Sequence, residues 1–212
     1  MLKNSDELNG MRVAGKLAAE VLEMITEYVK PGISTGELDE ICFKYITDVQ
    51  KAIPANVGYR GFEKTLCTSI NQVICHGIPD TNRILKSGDI MNIDVTVIKD
   101  GWHGDTSKMF LIGKAQSHNE RLVRVTQECL YKGIEAARPG ARLGDIGNAI
   151  QIHAEKNYYS VVEEYCGHGI GKIYHDEPQI LHYGEPNTGQ EIIEGMCSVS
   201  YTHLTLPTIN WV

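Results

Sequence analysis

The chain has 212 residues, 42% apolar and 22% charged, a composition that suits a globular protein with one large core or two small ones. Its formal net charge of −7 argues against a basic nucleic-acid-binding face, and no run approaches the ~20 apolar residues of a membrane span. The opening Met1-Leu2-Lys3-Asn4-Ser5-Asp6 lacks a signal-peptide core. Six cysteines, none in a Cys-x-x-Cys pair, point to free thiols in a reducing cytoplasm.

In chain order, Leu8, Met11, Ala18, Leu22, Ile25 and Val29 follow helical spacing up to a break at Pro31-Gly32. Ser34 with Glu37 predicts a capping box opening a second helix, whose apolar stripe reads Leu38, Ile41, Tyr45 and Val49. The same order recurs later. Leu122, Val125, Cys129 and Gly133 precede a break at Pro139-Gly140, and Leu143, Ile146, Ile150 and Ala154 follow it. Both breaks continue into Gly-acid-aliphatic, as Gly36-Glu37-Leu38 and Gly144-Asp145-Ile146. Cys75-His76-Gly77-Ile78 echoes Gly167-His168-Gly169-Ile170, and Gly88 echoes Gly195. The expectation is an α+β protein with an internal pseudo-twofold repeat: a single domain over 1–197, halves about 1–112 and 113–197.

Between the repeated helices lies a hairpin pattern. Ile90 to Ile98 is apolar and β-branched with an acid at Asp94, Lys99-Asp100-Gly101 signals a turn, and a second strand runs from Trp102 to Ile112. A turn at Lys99-Asp100 sets Asp94 opposite Asp105; a turn at Asp100-Gly101 sets Thr96 there instead. Either register keeps both carboxylates on one face, roughly 5–8 Å apart at Cβ. Two like charges that close call for a cation, and divalent metals suit hard carboxylate oxygens.

His168, set among Gly167, Gly169 and Gly171, has little reason to be a packing residue and reads as a metal ligand. The Gly-x-Gly-x-Gly spacing is not that of a nucleotide loop. His76 and His175 read as loop histidines able to donate to a substrate carbonyl or a developing oxyanion.

With these stretches assembled, the chain resembles the type I methionine aminopeptidases of the M24 family. The carrying segments are Cys67-Thr68-Ser69-Ile70-Asn71, Cys75-His76-Gly77-Ile78-Pro79, Asn92-Ile93-Asp94-Val95-Thr96-Val97, Asp100 to Ser107, Tyr165 to Gly171 and His175-Asp176-Glu177-Pro178. The resemblance implies the pita-bread fold, a central antiparallel sheet covered by helices. It also implies removal of the initiator methionine from nascent polypeptides by a dinuclear metallo-exopeptidase. It assigns Asp94, Asp105 and His168 as ligands to two divalent ions (cobalt, manganese, iron or zinc) and His76 and His175 as catalytic groups. Tyr59, Phe62, Cys67 and Tyr174 would line the methionine pocket, and a monovalent cation would sit near Asn71. A monomer in the cytoplasm is expected, with the ribosome as a partner and no membrane or specific nucleic acid. The alternatives of other chemistry are a non-catalytic pita-bread binding scaffold and a proline-specific aminopeptidase of the same fold.

The resemblance breaks near the C-terminus. The family expects a glutamate ligand six residues after Gly195, where this chain has Tyr201; a second expected glutamate has no counterpart up to Val212. Residues 198–212 read as a non-family tail, foreign sequence joined to a truncated gene. With three of five expected ligands and its last strands missing, the chain is expected to bind metal weakly and turn over poorly.

Overall fold

A computed structural model of the chain describes residues 2, 4–200 and 204–205, the last two as strand backbone. The chain divides into two compact units. The first comprises Lys3–Asn119 and Gly171–Tyr174; the second comprises Met1–Leu2, Glu120–Ile170 and His175–Val212. Among the described residues no helix is long and apolar enough to cross a membrane.

The first unit opens with α1 (Ser5–Ile25), whose N-terminus is capped by Asn4: its Oδ1 accepts the Glu7 N–H at 2.9 Å. Ala14, Ala18, Val21, Leu22 and Ile25 form the buried stripe. The helix stops short of the predicted Val29, which lies just past a following turn and still packs against the core. α2 (Thr35–Lys44) begins with the expected capping box, Ser34 and Glu37 bonding each other's backbone N–H. A π-turn at Tyr45–Val49 then shifts the phase of the apolar stripe. Leu38, Cys42 and Ile46 are buried, and the predicted core residue Val49 is 65% exposed.

Four strands follow: β1 (Ile53–Pro54), β2 (Leu66–Ile70), β3 (Ile90–Lys99) and β4 (Trp102–Leu111). All pairings are antiparallel. β1 and β2 pair successive stretches of β3, and β4 pairs its whole length. Asp100 (φ 51°) and Gly101 (φ 81°) form the hairpin turn, the doubly positive geometry that an Asp-Gly pair favours. Of the two registers open in the sequence, this turn selects Thr96 opposite Asp105 and Asp94 opposite Ser107.

Side-chain alternation then divides the sheet. Ile93, Val95 and Val97 are fully buried with the α1 stripe in one apolar core. Gly104 makes that packing close: a Cβ there would lie 2.1 Å from the Ala14 carbonyl oxygen on α1. The opposite face carries Asn92, Asp94 and Thr96 on β3 with Asp105 and Ser107 on β4.

The second unit packs α3 (Ser117–Ala136, entering the unit from Glu120) on α4 (Leu143–Lys156). Val125, Cys129, Ile146, Ile150 and Ala154 are buried there, as the periodicity predicts, with Tyr159, Ile180 and Ile192. Two short strands pair at its edge, β5 (Ser160–Val161) and β9 (Leu204–Thr205). A three-stranded antiparallel sheet follows, with β6 (Gly167–Gly169) between β7 (Asp176–Ile180) and β8 (Ser198–Val199).

The internal repeat is visible bond by bond in the turns that open α2 and α4. Gly32 N–H bonds Leu85 O, and Gly140 N–H bonds Ile192 O. Thr35 N–H bonds Arg83 O, and Leu143 N–H bonds Gln190 O. Both glycines after the break sit where a Cβ would strike the facing chain, Gly36 against Thr81 and Gly144 against Glu185 and Thr188. The His-Gly-Ile echo does not extend the repeat. His76 lies in a turn at φ 56°, whereas His168 lies in strand β6. The two motifs are alike in composition and different in backbone role.

Candidate active site

The polar face of the β3–β4 hairpin gathers the first unit's candidate residues. Asp94 has Cys67 of β2 as its cross-strand partner on one side and Ser107 on the other. Asp105 stands diagonally, facing Thr96. The two carboxyls hydrogen-bond to each other. Burial pushes the Asp94 carboxyl up to about 7, and the bond with Asp105 pulls against that rise. Asp105 is raised well above the ordinary range, first by burial and then by the Asp94 charge. Burial and the nearness of the two charges thus favour a proton held between them, more than in two separate exposed acids.

A divalent cation would take the place of that proton, and hard oxygen donors suit it. Among the described residues, no three His, Cys, Asp or Glu side chains form a ready-made metal cluster. The expected ligand position Tyr201 and the tail beyond it lie outside the described residues, apart from the strand backbone at 204–205.

The predicted pocket residues Tyr59, Cys67 and Tyr174 are drawn to this face. The Tyr174 ring tilts against Tyr59 at 4.8 Å between centroids and stacks on His103 at 5.4 Å. Its hydroxyl lies 2.7 Å from Thr96 Oγ1 and donates to Asn56 Oδ1 at 2.7 Å. Burial, then the Asp105 charge, holds the phenol far above its usual range. Cys67 is pushed up to about 12 by burial and by the neighbouring Asp94, so its thiol is a neutral wall rather than a nucleophile. Phe62 is half-buried at the end of the short turn Tyr59–Gly61.

His76 is exposed, and its turn is docked onto β2. Thr68 N–H bonds Gly77 O at 2.7 Å, and a Cβ on Gly77 would lie 2.2 Å from Thr68 O. The Asn71 side chain is occupied locally: Nδ2 donates to Asp89 and Oδ1 accepts the Ile90 N–H.

In the second unit, His168 is the middle residue of β6. Its neighbours must be glycine, because a Cβ on Gly167 would meet Val199 O at 2.4 Å and one on Gly169 would meet Glu177 O at 2.2 Å. Burial lowers the His168 pKa, which favours the neutral ring. Nδ1 lies 2.9 Å from Gly169 O and donates to it, which makes Nε2 the lone-pair nitrogen of the neutral ring. His175 brings its ring to 4.4 Å from that of His168.

Sequence reading assigns no role to Asn56 or His103. Alternation from Asp105 does place His103 on the polar face. Nothing local marks Asn56, which lies in an irregular turn.

The profile of metallopeptidase family M24 matches residues 9–204. The chain belongs to metallopeptidase family M24. Over 195 residues this M24 chain is 60% identical to a methionine aminopeptidase of Salmonella typhimurium, covering 92% of this chain and 74% of that one. The crystal structure of methionine aminopeptidase from Rickettsia prowazekii matches with a TM-score of 0.91 at 48% identity, covering 98% of this chain and 90% of that one. The methionine aminopeptidase from Thermotoga maritima matches with a TM-score of 0.91 at 31% identity over the same shares. The M24 chain thus has the pita-bread fold, as the resemblance implied.

Proposed function

We propose that this M24 chain is a metal-dependent exopeptidase that removes the N-terminal methionine of nascent proteins. The observation that carries the reading is the half-buried, hydrogen-bonded pair Asp94 and Asp105 on a sheet face walled by Cys67 and Tyr174. The methionine aminopeptidase named among its relatives supports the choice of substrate. Asp94, Asp105 and His168 would hold divalent metal, drawn from cobalt, manganese, iron or zinc. When bound, such ions supply an activated water and a polarised carbonyl. Tyr59, Phe62, Cys67 and Tyr174 would receive the first side chain as an apolar slot. His76 and His175 would donate to the carbonyl oxygen as it gains charge. A monovalent cation near Asn71, the ribosome as a docking partner, a monomeric state and a cytoplasmic location complete the reading.

Tyr201 cannot replace a carboxylate ligand, so this chain is expected to hold metal less tightly than its relatives. The test is methionine release from a Met-Ala-Ser peptide with manganese or cobalt. The chain is assayed beside a chimera in which residues 198–212 are replaced by the corresponding segment of the Salmonella relative through to its end. Release by the chimera, lost on chelation and in its Asp105→Asn variant, supports the reading. A folded chimera that releases nothing moves the weight to the binding scaffold. Preference for a peptide with proline in second place would favour the proline-specific alternative.

A further inference from the structure

Asn56 is 6% exposed and belongs to no helix or strand, yet its amide is fully oriented. Nδ2 donates to the Thr65 carbonyl at 3.0 Å, so the amide cannot be flipped without setting two oxygens face to face. Oδ1 must then point at Tyr174, whose hydroxyl donates to it at 2.7 Å. The direction of the Tyr174–Asn56 bond is thus set by the Thr65 backbone. The fully buried Thr96 hydroxyl lies 2.7 Å from the Tyr174 oxygen and also hydrogen-bonds the Asp105 carboxyl. The ring is also held by two aromatic neighbours. Tyr59 tilts against it, and His103 stacks on Tyr174 with an interplanar angle of 17°. His103 is in turn fixed by its own N–H on Gly171 O at 2.9 Å, with Nδ1 3.0 Å from the same oxygen. These groups all belong to the first unit.

We propose that Asn56 is a positioning residue for side-chain recognition: it locks the Tyr174 ring as a fixed wall of the pocket that selects the first residue of the substrate. A ring clamped at its hydroxyl cannot swing to admit a different shape, so discrimination depends on the residue that holds the clamp. Tyr174→Phe keeps the ring and removes the clamp; Asn56→Ala keeps the phenol and removes its acceptor. The proposal rests on the methionine aminopeptidase reading.

The experiment uses the whole chain without metal and has two readouts. NMR follows the Tyr174 hydroxyl proton, assigned by its disappearance in Tyr174→Phe, and titrations with L-methionine and L-alanine follow the pocket. The slowly exchanging hydroxyl resonance should be present in the unsubstituted chain and lost in Asn56→Ala. Asn56→Ala and Tyr174→Phe should each weaken L-methionine binding about fivefold, a loss near 1 kcal/mol. L-Alanine binding should not change, and the double variant should bind no worse than the weaker single one. Folded variants that keep full preference for methionine would overturn the proposal, as would additive losses. If the unsubstituted chain itself does not prefer L-methionine to L-alanine, the substrate reading fails, and this role fails with it. If Asn56→Ala does not fold, Tyr174→Phe against the unsubstituted chain decides by the same titrations.

Discussion

Cys67 lies directly across the β2–β3 pair from Asp94, so a buried thiol and a half-buried carboxyl residue share one polar face. The proximity runs both ways. The acid helps keep the thiol protonated, and the protein around both raises the acid.

Cys67 should therefore be the slow cysteine of this face. It is 7% exposed with its pKa pushed up to about 12, whereas Cys75 is half-exposed. Iodoacetamide at pH 8 should modify Cys75 well before Cys67, read by peptide mass spectrometry of timed samples. Equal rates would mean that the pocket wall opens readily.

The carboxyl pair makes the metal-free protein sensitive to pH. Asp94 titrates near 7 in the fold against an ordinary value of 3.8, so the folded state binds more protons across that interval. Its contribution to stability is complete below about 4 and is lost as pH rises to about 7, after which it levels off. Asp94→Asn should reduce this slope, leaving the part due to Asp105, and raise stability at pH 7.5 by on the order of 1–4 kcal/mol. Urea titrations in chelator at pH 5 and pH 7.5 would measure it. A variant less stable than the parent at pH 7.5 would contradict the account.

Divalent metal should reverse that penalty. Asp105→Asn removes a hard anionic donor and should weaken manganese binding tenfold or more by calorimetry. An unchanged affinity would place the metal elsewhere.

Gly104 is required by the approach of α1 to the sheet. A Cβ would meet the Ala14 carbonyl oxygen and carbon at 2.1 and 2.2 Å, and both are backbone atoms that cannot rotate away. Gly104→Ala should cost about 1–3 kcal/mol in urea unfolding. Gly15→Ala, where nothing lies within 4 Å, is the control and should be neutral or slightly stabilising.

Much of the fold could be read from local pattern. The helices of the second half, the capping box at Ser34 and the hairpin at Asp100-Gly101 each depend on residues close in sequence. The stripe at Val49 misled, because a π-turn changes the helical phase and leaves no mark in hydrophobic periodicity. The His-Gly-Ile echo misled because composition does not report φ: His76 takes a left-handed turn and His168 a strand.

The sequence alone determined that Asp94 and Asp105 share a face, because strand alternation and an Asp-Gly turn allow nothing else. It also marked His168 by its flanking glycines and, through the M24 resemblance, named the chemistry expected of these groups. Only the tertiary structure decided the diagonal register, since that turned on which two residues adopted positive φ. Only it brought Asn56, Thr96 and Tyr174 into one hydrogen-bonded line, across separations of 78 and 118 positions. Contacts at that range are set by how the sheet and its loops pack, and no local propensity encodes them.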